Sequence, residues 1–208
     1  PLTLLYMMHH TLNSTVLLIL GLTSAVFGGW AGLNQTQTRM IMAFSSIAHM
    51  GWLITAMTMN PDLATLTMIT YMTMTTATFL PLAQTTKTIN DMGTTWPLSP
   101  ATLTATMVTL MSLGGLPPLT GFMPKWLILK ELSSTGLTLI ATLILMASLP
   151  SLFFYIRLAY LTVLTTPPAT TTTKYKWRFK LNQPTYTTTA ITATTLMLPL
   201  TTTLYTTT

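Results

Sequence analysis

The chain has 208 residues, half of them hydrophobic and only 6% charged, with nine basic and three acidic residues for a net charge of +6. A soluble domain averages about 25% charged residues, so a water-facing globule is excluded and a membrane protein remains. The absence of cysteine also excludes disulfide scaffolds, thiolate metal sites and cysteine nucleophiles.

No signal or transit peptide is visible at the start. The chain opens at Pro1 without a Met and is already apolar through Leu2–Met8, so it reads as a fragment beginning inside a helix. A hydrocarbon core of ~30 Å needs about 20 apolar residues per helix. After a stub at 1–12, the pattern predicts six such segments. Segment A covers 14–33 with Ser14 in N-cap position, and segment B covers 38–59. Segment C covers 62–84 after the turn Asn60-Pro61-Asp62, and segment D covers 100–134. Segment E covers 137–163 and segment F 185–204. The apolar residues lack strict alternation, and the segments are too long for barrel strands. Thr recurs throughout, and its hydroxyl is tolerated in lipid because it can bond back to the helix's own carbonyls. The expected fold class is an all-α polytopic membrane protein. It has about six transmembrane helices plus a partial one, and forms a single helical membrane domain over 1–208.

Charge sets the sidedness. The A–B loop (30–38) leads to Arg39, and the C–D loop (85–99) holds Lys87. The E–F loop (164–184) holds Lys174, Lys176, Arg178 and Lys180. If each segment crosses once, all three loops share one side, and Lys and Arg mark the side of synthesis. That side is the matrix or the cytoplasm. A basic cluster in this setting fixes topology rather than binding a polyanion, so no nucleic acid partner is expected.

Segment D is the most informative. As one helix, residues 100–134 would run about 52 Å, too long for the bilayer. The run Leu113-Gly114-Gly115-Leu116-Pro117-Pro118-Leu119-Thr120-Gly121 supplies a break, because glycine and proline remove helical preference and proline removes backbone donors. Irregular backbone at membrane depth is tolerated only where it is buried in protein or lines a wet cavity, and interrupted helices often flank ion sites. Lys125 follows the break and lies about 13 Å along the axis from the end of D, near mid-membrane. A charge there costs at least ~3 kcal/mol on insertion scales, which makes a functional role the default. Lysine, unlike arginine, can release its proton. The alternatives are a structural ion pair with a neighbouring subunit or a position nearer the interface.

His49 sits mid-segment in B with Ser45 and Trp52 on its face. It is either a neutral histidine hydrogen-bonded to a partner helix or part of a proton relay. His9 and His10 adjoin the polar Thr11–Asn13 stretch and read as interfacial. Lys130 and Glu131, near the end of D, form a local ion pair or stand at a channel exit. Arg157 is expected to snorkel toward the basic loop, and Pro150 to kink E. Trp30, Trp96 and Trp177 fit interfacial belts. Gly28-Gly29-Trp30-Ala31-Gly32 permits close helix packing. No phosphate loop, metal cluster or hydrolase triad is present in the sequence.

Two stretches carry a family resemblance. One is Leu33-Asn34-Gln35-Thr36-Gln37-Thr38-Arg39 running into Ala43-Phe44-Ser45-Ser46-Ile47-Ala48-His49-Met50-Gly51-Trp52. The other is Gly114-Gly115-Leu116-Pro117-Pro118-Leu119-Thr120-Gly121-Phe122-Met123-Pro124-Lys125-Trp126. Both resemble subunit 2 of mitochondrial NADH:ubiquinone oxidoreductase (respiratory complex I), as does Phe153-Phe154-Tyr155-Ile156-Arg157-Leu158. The likeness runs over nearly the whole chain. It implies the C-terminal part of an antiporter-like membrane-arm subunit, spanning the end of the eighth family helix and helices nine to fourteen. Proton transfer would involve Lys125, matching the lysine of the broken twelfth helix, and His49, matching the histidine of the central hydrophilic axis. The family's essential glutamate and its two earlier lysines would lie upstream. Met40 departs from a frequent lysine. The resemblance further implies other membrane-arm subunits and membrane lipids as partners, in the mitochondrial inner membrane. No cofactor or metal is expected on this chain, since NADH and ubiquinone are substrates of the whole complex. A subunit of a secondary cation/proton antiporter with the same fold, or a structural spacer in an assembly, are the other classes.

Overall fold

The computed structural model describes residues 2–85, 100–165 and 189–194. Its elements are α1 (Leu2–Thr11), α2 (Ser14–Gly32), α3 (Thr38–Met59), α4 (Pro61–Thr85), α5 (Pro100–Gly114), α6 (Phe122–Ser134) and α7 (Thr138–Leu164). Segments A, B, C and E become α2, α3, α4 and α7. Segment D becomes two helices, α5 and α6, parted at the expected glycines and prolines. Of segment F, only a helical stretch at 189–194 falls within the described residues. The basic cluster, Lys87, Trp96 and Trp177 lie outside them. Among the described residues, four helices are long and apolar enough to cross a membrane, at Ser14–Gly32, Thr38–Met59, Pro61–Leu82 and Thr138–Leu164. The chain is an all-α polytopic membrane protein.

Local chemistry sets the boundaries. Asn60 is extended (φ −150°, ψ 125°), and its Oδ1 accepts the Asp62 amide at 3.1 Å. Pro61 opens α4 where no intrahelical donor is needed, and Asp62 sits in the first turn, where the helix dipole favours a carboxylate. Buried threonines hold their hydroxyls within their own helix. Thr55 donates to the Trp52 carbonyl at 2.9 Å and Thr67 to that of Ala64 at 2.8 Å. These bonds reach three residues back, and they leave few hydroxyls seeking partners in lipid.

The core forms two layers along the bundle axis. One contains Leu18 and Ala25 of α2, the C-terminal half of α3 (Trp52, Ala56, Met57), and Leu63 and Ala64 at the start of α4. It is completed by Leu127, Ile128 and Leu132 of α6, and by Ala141, Ile144 and Ala147 of α7. The other contains Ile41 and Met42 at the start of α3, Met74 and Leu82 of α4, Leu110 and Leu113 of α5, and Phe154, Tyr155 and Leu158 of α7. The two halves of α7 thus pack in turn against α6 and α5. The α5–α6 pair therefore runs antiparallel to a single α7. Directions alternate along the chain, which puts the 33–37 loop, the end of α4, the start of α5 and the end of α7 at the same end.

The α2–α3 contact is backbone against backbone. A Cβ on Gly51 would lie 2.5 Å from the Gly21 carbonyl oxygen and 2.7 Å from the Ala25 nitrogen. One on Gly28 would lie 2.5 Å from the Ala48 nitrogen. Such approach is what small residues allow between membrane helices. Gly29 meets the Ala147 carbonyl and Pro150 of α7 at 3.1 and 3.3 Å, so Pro150, inside α7, faces the glycine-rich end of α2. Trp30 at that end is 72% exposed, as a belt residue should be.

Two outcomes follow. In the intact subunit, Gly51→Ala should lower the melting temperature and the amount of assembled protein, because overpacking costs about 1–3 kcal/mol. An unchanged melting curve would refute the contact. Cysteines placed at Asp62 and Thr135 should label from one face of the membrane and a cysteine at Thr36 from the other, with no native cysteine to interfere. If Thr135 labels with Thr36, the α5–α6 pair does not cross once.

Candidate functional site at the helix break

The break begins with the end of α5. Gly115 has φ +84°, a conformation open to glycine. Its amide donates to the Ser112 carbonyl at 2.9 Å, and the Leu116 amide to that of Met111 at 3.5 Å. These are the paired bonds of a Schellman ending, which leave the last carbonyl, that of Gly114, without an intrahelical donor. Across the break, the hydroxyls of Ser112 and Thr120 lie 2.9 Å apart, and the Gly121 amide donates to Ser112 Oγ at 3.3 Å. A Cβ on Gly121 would collide with the Ser112 carbonyl. The start of α6 is thereby pinned against the end of α5.

Lys125 lies one turn into α6. Its Nζ donates to the free Gly114 carbonyl at 3.1 Å and sits 5.8 Å from the centroid of the Trp52 ring. The negative end of the α5 dipole and the aromatic face both favour a cation there. Lys125 is partly buried, and its ammonium is bonded to a backbone carbonyl rather than to a carboxylate. The position beside the break agrees with the sequence expectation. The half-helix end that receives the ammonium is the offset for its burial.

A small cavity adjoins it, with about 30 Å³ open to the centre of a water molecule, and is lined by His49, Trp52, Thr67, Thr70, Tyr71 and Lys125 among others. About 10–15 Å³ suffices for one water. The structure thus brings His49 and Lys125 to one space, from α3 and α6. The His49 ring lies 4.7 Å from that of Tyr71 on α4, tilted by 35°. Tyr71 was not singled out by any sequence signal, since its partner helix is known only once the bundle is formed. The same holds for the Ser112–Thr120 pair and for Tyr155, whose fully buried hydroxyl has no hydrogen-bond partner. An unsatisfied buried hydroxyl costs about 1–3 kcal/mol.

The remaining expected residues lie elsewhere. Lys130 is exposed and Glu131 partly buried, both further along α6 than the cavity. Lys130 instead lines a separate space with Trp126, Leu129 and Ser133. Arg157, near the end of α7, precedes a basic loop that lies outside the described residues. Its Nη1 donates to the Leu33 carbonyl at 2.7 Å, so the guanidinium caps the C-terminal end of α2. His10 is exposed, with its ring 4.8 Å from Tyr6.

An interior lysine on a broken helix, held by the end of the preceding half-helix and sharing a water-sized cavity with a histidine, defines a polytopic membrane protein with titratable groups inside its helix bundle. Residues 2–151 match the family model described as NADH:quinone oxidoreductase/Mrp antiporter, TM. Residues 152–205 match that described as NADH dehydrogenase subunit 2 C-terminus. The chain belongs to the NADH:quinone oxidoreductase/Mrp antiporter transmembrane family. It is 50% identical over 204 residues to NADH-ubiquinone oxidoreductase chain 2 of Sylvisorex ollula, covering 97% of this chain and 58% of the relative. It is 49% identical over 203 residues to the chain of the same description from Gallus gallus, covering 96% and 58%. The chain thus spans a little over half the length of these curated relatives. A chain of respiratory complex I from Thermus thermophilus with bound aureothin superposes with a TM-score of 0.74 at 25% identity, over 91% of this chain and 43% of that one. A chain of the Mrp complex from Dietzia sp. shares the fold, with a TM-score of 0.63 at 17% identity over 76% of this chain and 30% of that one.

The break yields a matched pair of variants. Gly115 and Gly136 both have positive φ, so alanine at either costs about 1–2 kcal/mol of backbone strain. Only at Gly115 would the added Cβ press on Lys125, 2.9 Å from Nζ, whereas at Gly136 nothing lies within 4 Å. In the assembled complex, Gly115→Ala should lose activity coupled to proton movement while Gly136→Ala retains it at similar thermal stability. Equal activity in the two would show that the position of Lys125 is unimportant.

Proposed function

We propose that residues 1–208 form one helical membrane domain, the C-terminal part of an antiporter-like membrane-arm subunit. The whole protein would act in a proton-translocating NADH:ubiquinone oxidoreductase of the mitochondrial inner membrane. Lys125 and His49 are the groups that carry protons, and the redox chemistry of NADH and ubiquinone belongs to other subunits. The observation that carries this reading is the Lys125 ammonium on the Gly114 carbonyl, beside a water-sized cavity that also reaches His49. The basic loops 30–38, 85–99 and 164–184 would face the matrix, as their Lys and Arg residues favour. The partners are the neighbouring membrane-arm subunits and the surrounding lipid.

The electrostatics suit transfer. Two unit charges about 8 Å apart repel by about 2 kcal/mol at an effective dielectric of about 20. A cation on one side of the cavity therefore disfavours a second on the other, and a proton arriving at one group promotes release from its neighbour. The α5 end and the Trp52 face stabilise the ammonium, and the cavity gives it a way to exchange its proton with water. Lys130 and Glu131, further along α6, are the nearer candidates for an exit toward the opposite face.

The test is substitution of Lys125 in the full-length subunit within its complex. Lys125→Met should reduce proton pumping driven by NADH oxidation by about two orders of magnitude, the lower end for loss of an acid–base group. Assembly should survive, since relief of the buried charge offsets the roughly 1–3 kcal/mol of the Gly114 carbonyl left without its donor, and the adjoining cavity has room for a water to replace it. Lys125→Arg should fail as well, because guanidinium keeps its proton. An active Arg variant beside an unassembled Met variant would replace proton transfer with a structural ion pair. Cation-driven proton exchange that proceeds without NADH oxidation would favour the antiporter class instead.

A further inference from the structure

The cavity between Lys125 and His49 does not end the polar groups in this part of the bundle. Tyr71 lines it and also packs against the second core layer, the one that holds Tyr155. Tyr155, on α7, is 1% exposed and lies among Met42, Met74, Leu110, Leu113 and Phe154. Its hydroxyl has Ser45 and Tyr71 as polar neighbours, yet it makes no hydrogen bond to another described residue. The Ser45 hydroxyl donates to the Met42 carbonyl at 2.7 Å, which leaves its oxygen able to accept. A phenylalanine would fill the same space without burying an unsatisfied group, so the hydroxyl calls for an explanation other than packing.

His49, Tyr71, Tyr155 and Ser45 come from three helices, α3, α4 and α7, and form a succession of polar groups inside an otherwise apolar layer. Ser45 lies one turn before His49 on α3, toward the 33–37 loop. We propose that Tyr155 is a proton-relay residue whose phenol, with Tyr71 and Ser45, extends the Lys125–His49 path toward the end of the bundle that carries the 33–37 loop. This rests on the assignment of proton transfer to Lys125.

The step is a hydroxyl hop. Tyr71 receives a proton from the cavity side and releases its own to the Tyr155 oxygen, directly or through a water; the Tyr155 O–H bond breaks and its proton passes to the Ser45 oxygen; and Ser45, its O–H turned away from the Met42 carbonyl, releases its own proton to water toward the 33–37 loop. One O–H bond forms and one breaks at each oxygen, so every hydroxyl stays neutral before and after. Rotation of the O–H groups resets the series. Such a chain needs its members in or near hydrogen-bond reach with one position left open for exchange, and the unpartnered Tyr155 hydroxyl provides that opening. The neighbouring Ser112–Thr120 pair, in contrast, is closed on itself by the Gly121 amide and serves as a clasp.

The experiment compares Tyr155→Phe, Ser45→Ala and Lys125→Met in the full-length subunit, assembled in its complex and reconstituted in liposomes. Protons pumped per NADH oxidised and thermal stability are measured together. Tyr155→Phe should lose most of its pumping while assembly and melting temperature are kept or raised, and Ser45→Ala should lose pumping as well. A purely structural phenol predicts a stable Phe variant that pumps normally, and that result with Lys125→Met inactive would overturn the relay and leave the Lys125 assignment standing. Normal pumping by Lys125→Met would overturn both. Failure of Tyr155→Phe to assemble, with Ser45→Ala pumping normally, would also overturn the relay.

Discussion

An ammonium group held inside the helix bundle, at the end of a half-helix, organises the centre of this protein. Lys125 can reside there because α5 stops short, in a left-handed glycine, and presents the Gly114 carbonyl and the negative end of its dipole to Nζ at 3.1 Å. The break and the lysine depend on each other. An unbroken helix would offer no free carbonyl at that depth, and a broken one without a cation would leave its terminal carbonyl unsatisfied in a medium that supplies no donors. Ser112, Thr120 and Gly121 fix the geometry by tying the two half-helices together, so the carbonyl and the ammonium meet without either strand of the break being free to drift.

Close packing elsewhere lets this arrangement form. Gly28 and Gly51 bring α2 and α3 together at backbone distance, and Arg157 caps the far end of α2 through the Leu33 carbonyl. Thus two basic side chains, Lys125 and Arg157, use the same device, the C-terminal end of another helix, at different levels of the bundle. In a medium where a carboxylate partner would itself require burial, a helix end is an economical counter-charge, since its partial charges need no further desolvation.

The polar groups are distributed unevenly across the two core layers. The layer holding Trp52 and Ile128 is apolar up to the cavity, whereas the layer holding Met74 and Leu113 admits Tyr71 and Tyr155 beside Ser45. Threonine hydroxyls are numerous in both but bond within their own helices, which withdraws them from lateral networks.

The helical segments and the break in segment D were legible in the amino-acid sequence, because each depends on local quantities: apolar run length, and glycine and proline content. Segments A, B, C and E matched helices to within a residue or two for the same reason. The close packing of Gly28 could also be expected, since small residues in a membrane helix announce an interface even before its partner is known. Tertiary structure alone decided which groups meet. That His49 faces Tyr71, that Arg157 meets the Leu33 carbonyl, and that the Tyr155 hydroxyl has no hydrogen-bond partner among the described residues depend on contacts between helices distant in sequence, and that Lys125 bonds the Gly114 carbonyl depends on how two half-helices fold across the break. In a chain with such uniform composition, the apolar pattern of each helix is too even to specify which face meets which neighbour. That choice is made by backbone approach at glycines and by the few polar atoms that must find one another away from lipid.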